Sequence, residues 1–303
     1  MSLHIQPRDL AILTDLGEYG LLDTQMLQHR HWGKAETMRA CQHRMRLLTQ
    51  EALVKKANLI VAFDASSKSV NGQGGSIPTA YVLTPKGAEV LEKLTETSPR
   101  RVSRSSPAAT TLLHRLEMVE TRLVIDNACL SHKLTTPEWI MEYDTYPKVR
   151  LEDPIEKRHI LYERFQTAEG EFYSRPDASC SIGIPRPKQP EAKDELIVYW
   201  ELDRGTNSPT RERNKSGGYD ALIRGKAYRN HWPSLGSEPA AVRIFYVCPS
   251  QERIDSIVGE LRSLTVAKAY RFITRLELRN AQILTDMVWQ DIERKRYAIM
   301  RTA

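Results

Sequence analysis

Arg175-Pro176-Asp177-Ala178-Ser179-Cys180-Ser181-Ile182-Gly183-Ile184, followed by Glu195-Leu196-Ile197-Val198-Tyr199-Trp200-Glu201-Leu202-Asp203-Arg204-Gly205-Thr206, decides the fold class. Both stretches read as strands, the first opened by Asp177 and the second closed by Glu201 and Asp203. Strand side chains alternate faces, so Glu201 and Asp203 project to one side and Trp200 and Leu202 to the other. The spacing therefore predicts one cluster of three carboxylates, Asp177, Glu201 and Asp203. Hard oxygen ligands of this kind suit Mg²⁺ or Mn²⁺, and such an ion can activate water against a phosphodiester. An ordinary reading stands beside this one. Asp203-Arg204-Gly205-Thr206 also reads as a strand-ending turn, Asp177 as a turn residue beside Pro176, and Glu201 as an ion-pair partner of Arg204 or Arg243.

Working outward, Leu112, Leu113, Leu116, Val119 and Leu123 mark a long helix, and Trp139 to Tyr143 a strand. Lys215 and Tyr219, four apart, share a face of the helix after the carboxylates. Ala241 to Cys248 is a buried strand by its apolar density, and Ile254, Ile257, Val258 and Leu261 give the following helix an apolar side. The order predicted for residues 111–303 is α-β-β-β-α-β.

Toward the N-terminus, Leu10 to Leu16 has helical spacing ended by Gly17 and Gly20, and Asp23 is placed to cap a short helix, Thr24 to Gln28. A third helix is predicted from Lys34 to Gln50. Its Met38, Cys41, Met45 and Leu48 form one apolar stripe, and Glu36, Arg39, His43 and Arg46 repeat the same steps on another face. Trp32 reads as core, His29 and His31 as surface. Leu59 to Phe63 and Thr79 to Leu83 flank the Gly/Ser-rich tip Asn71 to Ser76 as a hairpin, and Thr84-Pro85 starts another helix. Residues 98–110, with Arg100, Arg101 and Arg104 among serines and prolines, read as a basic linker whose arginines are free to meet a phosphate backbone.

The chain has 303 residues, 41% hydrophobic and 27% charged, enough for about two domains with cores of their own. No apolar run approaches a membrane span and no signal peptide opens the sequence, so the cytoplasm is the expected address. The cysteines Cys41, Cys129, Cys180 and Cys248 lie far apart, without the spacing of a zinc site or a disulfide framework. Net charge is +6, and residues 1–110 carry 14 Lys and Arg against 10 Asp and Glu. Basic excess in one segment favours a polyanionic partner, although a solvated basic surface accounts for it equally.

Helix, helix, helix, hairpin, helix over residues 7–97, with Leu83-Thr84-Pro85-Lys86-Gly87 at the hairpin's exit, resembles a winged helix-turn-helix. That likeness implies double-stranded DNA as partner, with Arg39, Gln42, His43 and Arg46 on the helix that enters the major groove and Lys34 near the phosphates. The later α-β-β-β-α-β order, with Pro176-Asp177 and Glu201-Leu202-Asp203, resembles the PD-(D/E)xK nuclease-like core. There a lysine follows the second acid by two positions. Here Asp203 stands in its place, so Lys215 becomes the candidate catalytic lysine, migrated to the next helix, and Glu117 or Glu120 can complete the acidic set. Both halves together, including Phe245-Tyr246-Val247-Cys248-Pro249, resemble the replication-relaxation family of plasmids and other mobile elements. The expectation is an α/β chain, α+β overall, with a winged helix-turn-helix over residues 1–97, the basic linker 98–110 and a nuclease-like domain over residues 111–303. The resemblance implies sequence-specific DNA binding in replication or mobilisation. The alternatives are a Mg²⁺- or Mn²⁺-dependent endonuclease and an adaptor docking a relaxase or replication protein. Such DNA-binding modules often pair, so a homodimer on an inverted repeat is expected.

Overall fold

The computed structural model describes residues 3–33, 37–57, 79–103, 109–150, 152–168, 170–186, 189–205, 209–236, 238–261 and 265–300. It divides into two compact units, Met1–Glu120 and Thr121–Ala303. The protein is a mixed α+β chain, as its strand and helix periodicities imply. Among the described residues no helix is long and apolar enough to cross a membrane.

In the first unit, helix α1 (Pro7–Tyr19) opens with reciprocal bonds between Gln6 and Asp9 and closes on Gly20, whose φ of 78° only glycine adopts cheaply. It runs through Gly17, where the sequence suggested an end. A side chain there would lie 2.6 Å from the Pro99 Cβ, so the missing Cβ is what lets residue 99 pack against the helix. Strand β1 (Leu22–Asp23) leads to α2 (Thr24–His31), and the Asp23 carboxylate accepts the Met26 N–H at 2.7 Å as the expected cap. Then come α3 (Met38–Gln50), β2 (Val54–Ala57), β3 (Ala80–Leu83) and α4 (Pro85–Thr95), the last capped by Thr84, which accepts the Gly87 N–H at 3.0 Å. The three strands form an antiparallel sheet in the order β1-β3-β2. Three helices, a hairpin and a helix thus follow one another as expected. The hairpin's first strand, however, lies at Val54–Ala57; Leu59 to Phe63 and the Gly/Ser-rich tip fall outside the described residues. Cys41, Met45 and Leu48 are buried as one stripe, while Met38 is 37% exposed.

The segment read as a free linker is held against this unit: the Arg101 N–H donates to Gly17 O at 2.8 Å and the Ser103 N–H to Leu83 O at 3.0 Å. Helix α5 (Ala109–Ser131) contributes Leu112 and Leu116 to a cluster with Leu21, Ala57, Ala80 and Val82. The division between units falls inside α5, ten residues beyond the expected linker end.

In the second unit, β4 (Glu138–Met141), α6 (Ile155–Arg158) and the hairpin β5 (Glu163–Thr167) and β6 (Gly170–Ser174) precede β7 (Ala178–Arg186) and β8 (Gln189–Leu202). Next are α7 (Pro209–Arg224), α8 (Tyr228–His231), β9 (Ala241–Cys248), α9 (Gln251–Leu261), β10 (Tyr270–Thr274), α10 (Arg275–Asn280), β11 (Trp289–Gln290) and β12 (Arg296–Tyr297). One seven-stranded sheet runs β12-β11-β10-β9-β8-β7-β4. Strands β4, β7 and β8 pair antiparallel, and β8, β9 and β10 parallel. Alternation along β8 and β9 explains both faces. Ile197, Tyr199, Ile244 and Tyr246 pack with Tyr219 and Leu222 of α7 and Ile254, Ile257 and Val258 of α9. Trp200 and Phe245 face the other way, among Trp139 and Trp289, with Phe245 and Trp289 centroids 4.3 Å apart. Helix α7 also lies directly on the backbone of β6: a Cβ on Gly218 would sit 2.1 Å from Tyr173 O.

Candidate functional site

Two groups of polar side chains stand apart from the packing, one in each unit. In the first, α3 presents Arg39, Gln42, His43 and Arg46 to solvent, with Arg46 Nη2 3.1 Å from His43 Nδ1. Its other arginine does something different. Arg44 Nε donates to Asp9 Oδ1 at 2.6 Å, its Nη2 reaches Asp9 Oδ2 and, at 2.9 Å, His4 O, and Asp9 is fully buried. Arg44 therefore fixes α3 to the start of α1 while its neighbours stay outward. Lys55 and Lys56 on the edge strand β2 are also exposed. None of Arg39, Arg46, Lys55 and Lys56 pairs with a carboxylate among the described residues. Lys34 and Arg104 lie outside the described residues, and Arg100 is exposed. Arg101, expected to be free for a phosphate, is 9% exposed and its Nη1 donates to Glu18 O, which ties it to the unit's own backbone.

In the second unit, the register Ala178↔Trp200 sets Asp177 beside Glu201 at the end of the β7–β8 ladder. Asp177 closes that ladder. Its N–H donates to Trp200 O at 3.0 Å, its Oδ2 accepts the Leu202 N–H at 2.7 Å, and its carbonyl accepts the Glu142 N–H at 2.9 Å. Glu201 is 3% exposed, with one carboxylate oxygen on Lys215 Nζ and the other on the Tyr219 hydroxyl. Burial pushes its pKa up from 4.5 to about 8 against the opposing pull of the Lys215 charge, and the Asp177 carboxylate adds to the rise. Burial likewise lifts the Tyr219 hydroxyl well above its ordinary value. The helical spacing of Lys215 and Tyr219 thus brings both to one acid, as their four-residue separation implies. Asp203, 3% exposed, goes elsewhere: Arg253 of α9 holds it bidentately at 2.7 and 3.0 Å, Gly205 N–H adds a bond at 3.1 Å, and Arg275 Nη2 donates to its carbonyl at 3.2 Å. Glu117 and Glu120 fall in the first unit, where the Glu120 charge raises the pKa of Asp23 after burial has done most of it.

Comparison with known proteins settles the lineage. The family model described as replication-relaxation matches residues 13–234. The chain belongs to the replication-relaxation family. No curated protein and no solved structure matches it.

For this replication-relaxation protein the metal expectation meets a poor donor set. Both oxygens of Glu201 are engaged by Lys215 and Tyr219, both of Asp203 by Arg253, and one of Asp177 by a backbone amide. Among the described residues the three acids do not gather as one ligand group, whereas carboxylate oxygens of Asp177 and Glu142 lie within 4.8 Å of each other. Of the ordinary alternatives, neither Arg204 nor Arg243 is the partner of Glu201. Lys215 is. Arg253, Arg275 and Glu142 were missed from the sequence because each meets its partner across a long separation, with no periodic signal to mark it. The family match ends at residue 234, so β9 to β12 lie beyond it.

Proposed function

We propose that this protein binds double-stranded DNA sequence-specifically through α3, within the replication or mobilisation of a plasmid or other mobile element. The observation that carries the reading is the two-sided α3, anchored by Arg44 to buried Asp9 and offering Arg39, Gln42, His43 and Arg46, which pair with no carboxylate among the described residues. An α-helix fits the major groove, and Arg, Gln and His on its outward side are suited to base edges. The element order of residues 7–95, resembling a winged helix-turn-helix, supports the same docking, with Lys55 and Lys56 of β2 available to phosphates. Pairing of two copies on an inverted repeat, and docking of a relaxase or replication protein by the second unit, extend this reading.

Sequences selected from a random pool supply the probe for the test. Arg39→Ala with Arg46→Ala should weaken specific binding by about 1–3 kcal/mol per lost bidentate contact, with the melting temperature unchanged. Equal affinity of wild type and variant in a gel-shift titration at fixed salt overturns it. The endonuclease reading is disfavoured because the acids are tied to Lys215, Tyr219 and Arg253. Mn²⁺-dependent nicking of supercoiled plasmid by the wild type, lost in Asp177→Asn, would replace binding with cutting as the function.

A further inference from the structure

On the sheet face opposite Glu201, a cavity of about 510 Å³ opens between β8, β9, β10 and the C-terminal meander. Its walls include Leu196, Phe245, Trp289 and Tyr297, and two arginines enter it, Arg243 from β9 and Arg271 from the neighbouring β10. Both are half-buried. Arg243 Nη1 donates to Val242 O at 3.1 Å, and Arg271 Nη1 to Lys268 O at 3.0 Å and Tyr270 O at 2.7 Å. Neither forms an ion pair with a carboxylate among the described residues, so most of the five N–H donors on each guanidinium are uncommitted. The Arg271 guanidinium lies over the Tyr297 ring at 4.5 Å, which fixes its plane. Burial lowers the pKa of Arg243, and the Arg271 charge lowers it further; burial lowers that of Arg271 against the opposing pull of the Asp291 carboxylate, which accepts the Tyr297 hydroxyl at 2.8 Å. Two cations held out of water beside each other are stabilised by an anion that accepts from both. Among the described lining residues the acid is Asp194, and it is already bound to Arg186 at 2.7 Å on the rim.

We propose that this cavity binds a nucleotide, with Arg243 and Arg271 gripping the phosphate and Leu196, Phe245 and Trp289 forming the wall against which the base lies. Guanidinium forks match phosphate oxygens bidentately, and an apolar wall suits the apolar faces of a base, whereas a bare phosphate or a carboxylate leaves that wall unused. The volume falls within the range of small-ligand sites. The arginines, Trp289 and Tyr297 lie past residue 234, where the family match ends, whereas Leu196 lies within it. The same chemistry is offered by a free nucleoside monophosphate and by the 5′-phosphorylated end of a single DNA strand.

Isothermal titration of the full chain with dAMP, deoxyadenosine, inorganic phosphate, and a short single strand with and without its 5′-phosphate tests this. dAMP, or the phosphorylated strand, should bind at least tenfold more tightly than deoxyadenosine and than inorganic phosphate. Whichever of the two binds better identifies the source. Arg243→Gln and Arg271→Gln should each weaken that binding by roughly tenfold or more, as loss of charged hydrogen bonds does, while Arg186→Gln leaves it nearly unchanged. To separate lost binding from unfolding of β11 and β12, Arg243→Lys and Arg271→Lys serve beside them, keeping the charge and losing the fork. They too should weaken binding with an unchanged melting temperature. No binding of any probe to the wild type at millimolar concentration, equal affinity for dAMP and deoxyadenosine, equal affinity for dAMP and inorganic phosphate, or folded variants that bind as the wild type does would each overturn it.

Discussion

Glu201 and Asp203 stand two residues apart on the same strand end, yet their partners separate their roles. Asp203 is locked in a bidentate pair with Arg253, while Glu201 sits between Lys215 and Tyr219 with its pKa raised to about 8. In the unfolded chain Glu201 returns to its ordinary 4.5, so below pH 4.5 it is protonated in both states and takes nothing from stability. Between 4.5 and 8 the unfolded chain releases the proton and the folded one keeps it, so stability falls as pH rises, by up to about 1.4 kcal/mol per unit. Melting curves from pH 5 to 9 should show this decline, and Glu201→Gln should flatten it. A wild-type curve already flat across that window would mean that Lys215 neutralises the acid completely. Lys215→Met removes a cation that faces a buried acid and should cost about 3 kcal/mol at pH 9, near the lower end for such pairs because the lysine keeps some access to water. Adding Glu201→Gln should recover most of that loss; no recovery would show that Lys215 acts through other contacts.

At the scale of elements, what places Lys215 and Tyr219 is the seating of α7 on the β5–β6 hairpin. Gly217 and Gly218 face Phe172 and the Tyr173 carbonyl, and the Cβ of an alanine at 218 would meet that carbonyl at 2.1 Å, an obstacle that no side-chain rotation relieves. Gly218→Ala should cost about 1–3 kcal/mol, the range for overpacking, and shift the pH dependence assigned to Glu201, because α7 must lift from the hairpin. A variant with unchanged melting temperature and pH profile would show that the two elements separate freely. This hairpin is where the sequence was least legible. Strand β5, Glu163–Thr167, alternates half-buried with exposed residues and has no apolar run, and β11 and β12 have two residues each. The core strands β7, β8 and β9 were readable because they are buried on both faces and so nearly continuous in apolar residues. In the first unit the caps at Asp23 and Thr84 and the stripe of Cys41, Met45 and Leu48 were readable locally. Strand β2 was not, since Lys55 and Lys56 make an exposed edge look like a loop. The site was half legible: four-residue spacing joined Lys215 to Tyr219, but nothing near Asp203 announces an arginine fifty residues away.

Across the whole molecule, basic groups of two kinds are now distinguishable, and duplex binding separates them. Those on the first unit, Arg39, Arg46, Lys55 and Lys56, are exposed, have no carboxylate partner among the described residues, and are suited to long polyanions. Those of the second unit, Arg243 and Arg271, are half-buried in a cavity too confined for a duplex. Each phosphate neutralised on duplex DNA contributes about 0.9 to the slope of log affinity against log salt. Changing the four first-unit residues to alanine should therefore flatten that slope by up to about 3.6, and less for any of the four that reads a base without touching a phosphate. Arg243→Gln with Arg271→Gln should leave the duplex slope as it is. Arg101→Ala should lower the melting temperature, because the Glu18 carbonyl loses its donor, and leave the slope of the folded fraction unaltered. Fluorescence anisotropy at four or more salt concentrations measures all three. A slope unmoved by the four first-unit changes removes α3 and β2 from the DNA interface, and a slope flattened by the two second-unit changes would bring the cavity's arginines onto the duplex instead.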